Sequence, residues 1–438
     1  MSKVVKFGGS SCADAKQLSK ARRILEEDSE RRYLVVSAPG KRFPDDIKVT
    51  DLFYYLYDAA VRKEDTERIL KRISDRYQEI IDGLGIHFDL QKEMDVIRSS
   101  LASPEREYLA SRGEHLNALI MADWLGWPYV ESGENIFIDE EHHFIPEKSY
   151  PVLARTLAKL DHAVIPGFYG SDGNGKIRVF TRGGSDITGA IVARAVHASL
   201  YENWTDVDGM RSADPGIISD PKPVRTISYQ ELRELSYMGA SVLHEETVFP
   251  VRTAGIPINI RNTNHPSDPG TMIVPAYTGS AQFHMVTGIA GKKNMSNIQI
   301  DMAMMNAEIG FGAKVLSILA RHGVPYEHTP TSIDTMSVLV STKDLEPVRE
   351  KVLKELNEQL HPDRVFIEDH IAVVAVVGEG IAKTKGFAAE VFQAVADADI
   401  NIRMIDVSFS ELNIILAVDE ENYEKTITAI YEEIEDRL

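Results

Sequence analysis

Cysteine is nearly absent: the 438-residue chain carries only Cys12, so no disulfide forms within it and a reducing compartment suits it. Basic residues are few against acidic ones, 48 Lys+Arg to 67 Asp+Glu, giving a formal charge of −19. Phosphate-rich surfaces are bound by clustered Lys and Arg, so nucleic acid and anionic membranes are excluded as general partners. Long hydrophobic runs are missing too. The longest, Ile371–Val377, is β-branched and strand-sized, far short of the roughly 20 apolar residues of a membrane helix. Between Met1 and the first glycine loop there is no signal-peptide core, so the expected location is cytoplasmic.

What is present is the composition of a soluble globular protein, 43% hydrophobic and 26% charged. At about 150 residues per domain the length suggests about three domains. The first two thirds alternate strand and helix signals: strands at Val4–Phe7, Tyr33–Ser37, Ala163–Pro166, Ala198–Asn203 and Ile256–Ile260, with helices over Ala13–Ser29, Thr50–Gly83, Leu90–Leu125 and Gly189–Ala198. Strands alternating with helices predict an α/β layer with a mostly parallel sheet.

From about Phe283 the pattern changes. Met285–Ala290 reads as a strand, Gly291–Asn294 as a turn, then Asn297–Met302 (strand), Phe311–His322 (helix), Pro325–Thr329 and Ser337–Ser341 (strands), Leu345–Leu360 (helix) and Arg364–Glu368 (strand). A second pass runs through Ile371–Val377, Lys385–Asp397, Ile400–Val407, Asn413–Val418 and Glu421–Glu435. This is an internal repeat of roughly 70 residues, read as two small α+β domains. The second pass lacks a fourth strand and Met285–Ala290 is left over. The expected boundaries are therefore 1–280, 295–369, and 283–294 plus 370–438, with the middle domain inserted in the last.

Chemistry gathers at two glycine loops. Lys6-Phe7-Gly8-Gly9-Ser10-Ser11 joins a strand to a helix, where glycines let backbone amides approach an anion and Lys6 adds a point charge. It lacks the Gly-Lys-Ser/Thr of a Walker loop, and an ordinary strand-to-helix turn explains it equally well. Thr181-Arg182-Gly183-Gly184-Ser185-Asp186-Ile187-Thr188 repeats the arrangement ahead of an alanine-rich helix. Arg182 offers a fork for a carboxylate, while Ser185 or Asp186 would serve as a helix cap on the plainer reading. Trp204-Thr205-Asp206-Val207-Asp208-Gly209 suits either an adenosine contact or a structural turn. In Ser111-Arg112-Gly113-Glu114-His115 a mid-helix glycine hints at close approach, and Glu114 would take an ammonium or face solvent. The histidines show no metal-ligand spacing, so no protein-held metal is expected.

Together these segments, with Val36-Ser37-Ala38-Pro39-Gly40, Ala213-Asp214-Pro215 and Gly239-Ala240-Ser241-Val242-Leu243-His244, resemble the aspartokinases of the amino-acid kinase superfamily. The resemblance implies a three-layer αβα kinase domain followed by two βαββαβ (ACT-like) regulatory domains. It implies transfer of the γ-phosphoryl of ATP, with Mg²⁺, to the β-carboxylate of L-aspartate. By the same resemblance Lys6 and Asp186 are catalytic; Thr50, Glu114, Arg182 and Ser185 hold aspartate; Lys6, Gly8, Gly9, Ser10, Thr205, Asp206 and Arg211 meet ATP. Arg211 enters as a substitute cation, because the tyrosine, arginine and lysine common in this region of the family are absent here. Another carboxylate-phosphorylating amino-acid kinase, or a catalytically silent amino-acid sensor, is the alternative.

The paired C-terminal units resemble effector-binding domains. Met305, Glu308, Gly310, Phe311, Gly312, Glu327, Thr331 and Ser332 are the expected effector pocket, with backbone amides at the helix start taking a carboxylate. Glu327 would take an extra ammonium, which favours lysine as the effector. Strand edges in such units favour pairing, so a homodimer or a dimer of dimers is expected.

Overall fold

The computed structural model describes residues 2–181, 183–240, 243, 245–277, 285–407 and 412–438. The chain divides into two compact units: Met1–Met210, Pro223–Tyr229 and Val242–Tyr277 form one; Arg211–Lys222, Gln230–Ser241 and Thr278–Leu438 form the other. Two segments inside the span 1–280 thus pack with the C-terminal part. The Ile289 amide donates to the Ser212 carbonyl at 2.7 Å, and Glu231 accepts from the Thr287 hydroxyl at 2.6 Å.

In the first unit seven strands lie in the order Ala163–Pro166, Arg31–Val36, Lys3–Phe7, Leu200–Thr205, Ile258–Asn262, Thr271–Val274 and Thr226–Ser228. Neighbours run parallel except for the Ile258–Asn262/Thr271–Val274 pair. The central strands are buried on both faces, as continuous apolar runs such as Leu34-Val35-Val36 require. Val5, Phe7, Leu34 and Val36 share one core with helices Ala15–Glu26, Val49–Arg62, Glu67–Leu84, Leu90–Ser100 and Arg106–Leu125. Helix Gly184–Ala195 packs on the sheet with Pro146–Leu157 and Glu245–Ala254 beside it. The two long helical regions of the sequence are each broken. Lys63 takes a left-handed conformation (φ 57°) after Arg62, and Ser103-Pro104 interrupts the second stretch.

In the second unit six strands form one antiparallel sheet: Tyr326–His328, Thr335–Ser341, Gly288–Asp301, Arg364–Val377, Asn413–Asp419 and Met404–Val407. The expected turn at Gly291–Asn294 is not a turn, and the expected break near residue 370 is not a break. Both runs continue as 14-residue strands. Asn294 (φ 58°) and His370 (φ 61°) adopt left-handed conformations at register shifts, so the turn-like residues are absorbed as bulges. Gly288–Lys292 pairs with the far end of Arg364–Val377, and Met295–Asp301 with its near end. Helices Phe311–Arg321 and Arg349–Leu360 fill one core below the sheet; Phe387–Asp397 and Tyr423–Ile434 fill another. No described helix is long and apolar enough to cross a membrane.

Candidate active site

The carboxyl ends of Lys3–Phe7, Arg31–Val36 and Leu200–Thr205 are tied by their loops. The Gly8 amide donates to the Trp204 carbonyl at 3.0 Å, the Ser37 amide to Phe7 at 3.2 Å, and the Gly40 amide to Gly9 at 2.8 Å. A Cβ on Gly40 would come within 2.6 Å of the Gly9 backbone, so only glycine permits this approach. The Gly8 amide is therefore engaged within the fold, and the absent Gly8 side chain instead leaves room for Lys6, whose Nζ would lie 3.4 Å from a Cβ.

Lys6 is the centre of a buried polar cluster. Its Nζ lies 2.6 Å from Asp186 Oδ1 and donates to Asn203 Oδ1 at 3.4 Å. Asn203 Nδ2 in turn donates to Asp186 Oδ1 at 2.8 Å, and the Tyr201 hydroxyl donates to the Asp186 carbonyl at 3.0 Å. The sequence pairs Lys6 with Asp186 through the resemblance, but Asn203 and Tyr201 carry no motif. Only the parallel register of Lys6 with Asn203 finds them.

Glu114 lies on the middle turn of helix Arg106–Leu125, which is buried on nearly every side. The solvated-face reading is ruled out: Glu114 is 5% exposed and its Oε2 has no hydrogen-bond partner. Burial pushes its carboxyl up to about 8, against the Ala38 amide and the field of Arg112, which favour the ionised form. Gly113 is needed beside it, since a Cβ there would meet Ala38 Cβ at 2.8 Å. Burial also pushes the Cys12 thiol up to about 12; the Lys6 charge opposes this and the Glu114 charge adds to it. Lys6 and Glu114 thus act on one buried volume around Cys12.

The other expected contacts are distributed as follows. Thr50 is half-buried in the first turn of helix Val49–Arg62, whose Val49 amide donates to the Pro39 carbonyl at 3.1 Å. Ser185 is buried in the first turn of Gly184–Ala195, and a Cβ on Gly167 would meet its Oγ at 2.5 Å. Arg182 lies outside the described residues. Gly9 and Ser10 lead into a short 3-10 turn, Ser10–Cys12. Thr205 donates its hydroxyl to Asp206 Oδ1 at 3.1 Å, and Asp206 is exposed at the strand end. Arg211 belongs to the second unit, where it donates to the Pro221 carbonyl at 3.1 Å. His115 is engaged by the Tyr129 hydroxyl at 2.8 Å and by Glu131 at 3.2 Å. No group of three or more His, Cys, Asp or Glu with metal-holding geometry occurs among the described residues.

In the second unit Gly310 caps helix Phe311–Arg321 in a left-handed conformation (φ 85°), and a Cβ on Gly310 would meet nothing within 4 Å. Gly312 would meet only Met336, at 3.8 Å. Phe311 and Met305 are core residues, while Thr331 and Ser332 are exposed. Glu308 pairs with Lys314 at 2.5 Å. Glu327 is already paired: Lys292 Nζ lies 3.2 Å away and sits 4.0 Å from the centre of the Tyr237 ring. The sequence placed an external ammonium at Glu327 and missed this internal one.

Comparison with known proteins identifies the family. The amino acid kinase family profile matches residues 1–262, and an ACT domain profile matches 374–434. The chain is 36% identical to aspartokinase 3 of Bacillus subtilis, covering 98% of each. The aspartate kinase of Clostridium acetobutylicum superimposes with a TM-score of 0.90 at 44% identity, over 98% of this chain and 99% of that one. Aspartokinase III of E. coli, solved with aspartate and ADP, gives a TM-score of 0.75 at 25% identity, over 99% of this chain and 100% of that one. With a lysine–aspartate pair beside a glycine loop and relatives matching end to end, the chain belongs to the amino acid kinase family, as one of its aspartokinases.

Proposed function

We propose that the protein transfers the γ-phosphoryl of ATP to the β-carboxylate of L-aspartate, giving 4-phospho-L-aspartate, the first step toward lysine, threonine and methionine. The observation that carries this reading is the Lys6 ammonium, buried and held 2.6 Å from Asp186 beside the Gly8–Ser10 loop. The nucleophile, a carboxylate, is already ionised, so catalysis needs positioning and charge neutralisation and no strong base. Asp186 holds Lys6, Lys6 faces the migrating phosphoryl, and the Gly9 and Ser10 amides take phosphate oxygens. Thr205 and Asp206 would border the nucleotide. Glu114, short of one hydrogen-bond partner, receives the aspartate ammonium. Thr50 and Ser185, each in the first turn of a helix, face its carboxylates together with Arg182.

Magnesium suits this site as part of the nucleotide. The cation keeps several waters and binds substrate phosphates with one or two carboxylates, and Asp186, 27% exposed and beside Lys6, is the carboxylate that would meet it. When bound, it supplies neutralisation of phosphate charge. The sheet pairings support two regulatory modules, 295–369 and 283–294 plus 370–438, the first inserted in the second. Feedback inhibition by lysine is the accompanying inference: a second ammonium would compete with Lys292 for Glu327. The edge strands Tyr326–His328 and Met404–Val407, which expose Tyr326, Ile405 and Val407, support a homodimer or a dimer of dimers. The soluble fold and acidic charge suit the cytoplasm. The test is ADP release with aspartate, glutamate or acetylglutamate as acceptor, with and without lysine, threonine and methionine. Turnover with glutamate alone would point to the other carboxylate kinases, and nucleotide binding without turnover to a sensor.

A further inference from the structure

Three arginines are buried among the described residues: Arg31, Arg76 and Arg112. Two have carboxylate partners. Arg31 Nε lies 2.8 Å from Glu202 Oε2, and Arg76 Nη1 lies 2.6 Å from Asp46 Oδ2. Arg112, 7% exposed, has none among the described residues. Its Nε donates to the Tyr108 carbonyl at 3.3 Å and the Ser111 hydroxyl at 3.2 Å, and its Nη2 to that hydroxyl at 2.9 Å. Nη1 makes no hydrogen bond among the described residues. The guanidinium is held over two rings, 4.4 Å from the centre of Tyr108 and 5.6 Å from that of Tyr169. Aromatic faces offset only a small part of the cost of burying an ionised group, and a buried charge ordinarily has a counter-charge.

The surroundings say where the counter-charge would come from. Arg112 stands two residues before Glu114, and its field acts on that carboxyl. Tyr169 follows Gly167 and Phe168, the corner that packs on the first turn of Gly184–Ala195. A Cβ on Gly167 would meet Ser185 Oγ at 2.5 Å, and the Phe168 amide donates to Thr188 Oγ1 at 3.1 Å. Arg112 therefore acts through its field on the ammonium-binding carboxylate and lies against the ring of Tyr169, two residues beyond the glycine that packs on Ser185. The acceptor is a zwitterion with two carboxylates, and Arg182 would account for one.

Resting on the aspartate kinase reading, we propose that Arg112 is a second guanidinium of the acceptor site, whose fork receives a carboxylate of the bound dicarboxylic amino acid. Its stacking fixes the fork relative to Glu114, which selects acceptor length. A planar fork is required there, and a lysine supplies only a point charge.

The experiment compares Arg112→Lys and Arg112→Gln with the wild type. ADP release is measured with aspartate and ATP varied in turn, together with thermal melting. The KM for aspartate is expected to rise roughly tenfold in Arg112→Lys and on the order of a hundredfold in Arg112→Gln, the loss typical of a charge-assisted contact. The KM for ATP stays within twofold and melting stays cooperative. A KM for aspartate within twofold of wild type in either variant overturns the proposal, as does failure of both to fold, which assigns Arg112 to packing alone. Titration with succinate, a dicarboxylate without an ammonium, reads the same contact without turnover: binding at least tenfold weaker in Arg112→Gln supports the proposal, and equal binding overturns it. A wild type that binds succinate but releases no ADP with aspartate would sink the functional reading, leaving the Arg112 contact to be decided by the titration.

Discussion

Lys6 Nζ and Asp186 Oδ1 stand 2.6 Å apart, and the two residues come from a strand end and a helix start 180 positions apart in sequence. The lysine side chain is 8% exposed and the aspartate 27%, so the pair is open on the carboxylate side. An ammonium held in this way needs no reorganisation to meet incoming phosphate charge. Asp186 Oδ1 is engaged by both Lys6 and Asn203.

Replacing Lys6 by alanine is expected to lower kcat for aspartate-dependent ADP release roughly 10²–10³-fold, the effect of losing one donor aimed at developing charge. The circular dichroism spectrum stays that of the wild type, because Asp186 is partly solvated and tolerates loss of its partner. Undiminished turnover would remove Lys6 from the reaction.

Asn203 tests whether the orientation of the pair matters. Its amide bridges Lys6 and Asp186, and it is 2% exposed. Asn203→Ala leaves both charges in place but frees their rotamers. About a tenfold fall in kcat is expected, with the KM for ATP little changed. A loss confined to the KM for ATP would instead place Asn203 at the nucleotide.

The bridging role of Asn203 was hidden in the sequence because it arises from register alone. Asparagine on a buried strand carries no motif, whereas Gly8-Gly9 and Gly183-Gly184 announce themselves through backbone demands. Likewise Glu114 could be named from its motif, but its burial could not, because helix Arg106–Leu125 is enclosed on nearly all sides and shows no polar face to read. The alternating strands and helices of the first unit were legible because parallel strands are uninterrupted apolar runs. In the second unit Lys292-Lys293-Asn294 looked like a turn, and only the pairing of Gly288–Asp301 along its whole length shows a bulge. The Lys292–Glu327 pair was out of reach for another reason: the two residues lie on strands that are not neighbours, with Thr335–Ser341 between them in the sheet, so neither spacing nor strand pairing brings them together.

Glu114 makes binding and stability depend on pH in opposite senses. Its carboxyl is raised by burial from 4.5 to about 8, so at neutral pH the ligand-free protein holds it protonated. An arriving ammonium favours the ionised form, and close to one proton should be released per aspartate bound at pH 7, falling toward none above pH 9. Calorimetry in buffers of different ionisation heat measures this. For stability, a carboxyl that binds its proton more tightly when folded contributes favourably below pH 4.5, and that contribution is lost as pH rises toward 8. Glu114→Gln should therefore be more stable than wild type at pH 9, by on the order of a few kcal/mol, while losing aspartate affinity. Equal stability at both ends of this range would show that the carboxyl titrates normally.

Cys12 should be inert. It is fully buried, and its thiol is pushed up to about 12 by that burial. The thiolate is the reactive form, so labelling with a thiol reagent at pH 7.5 should be at least a hundredfold slower in the native protein than in denaturant. Saturating aspartate and ATP should slow it further by suppressing local opening. Rapid native labelling would mean that the loop Gly8–Ser10 opens often enough to uncover the Lys6–Asp186 cluster.

Lys292 and Glu327 make a regulatory prediction that runs in two directions. Their atoms lie 3.2 Å apart, with Lys292 26% and Glu327 20% exposed, so an effector ammonium reaching Glu327 must displace an internal one. Removing the carboxylate and removing its internal partner should then have opposite effects. Glu327→Ala raises the lysine concentration needed for half-inhibition, by roughly tenfold for a lost charged contact. Lys292→Met leaves the carboxylate with its Tyr237 contact but no internal ammonium and lowers that concentration severalfold, and the double variant behaves like Glu327→Ala, because the competition no longer exists. Inhibition curves for the three proteins, at fixed aspartate and ATP, settle the order. If Lys292→Met weakens inhibition as much as Glu327→Ala does, the pair acts as a structural unit of the sheet and the effector ammonium binds elsewhere.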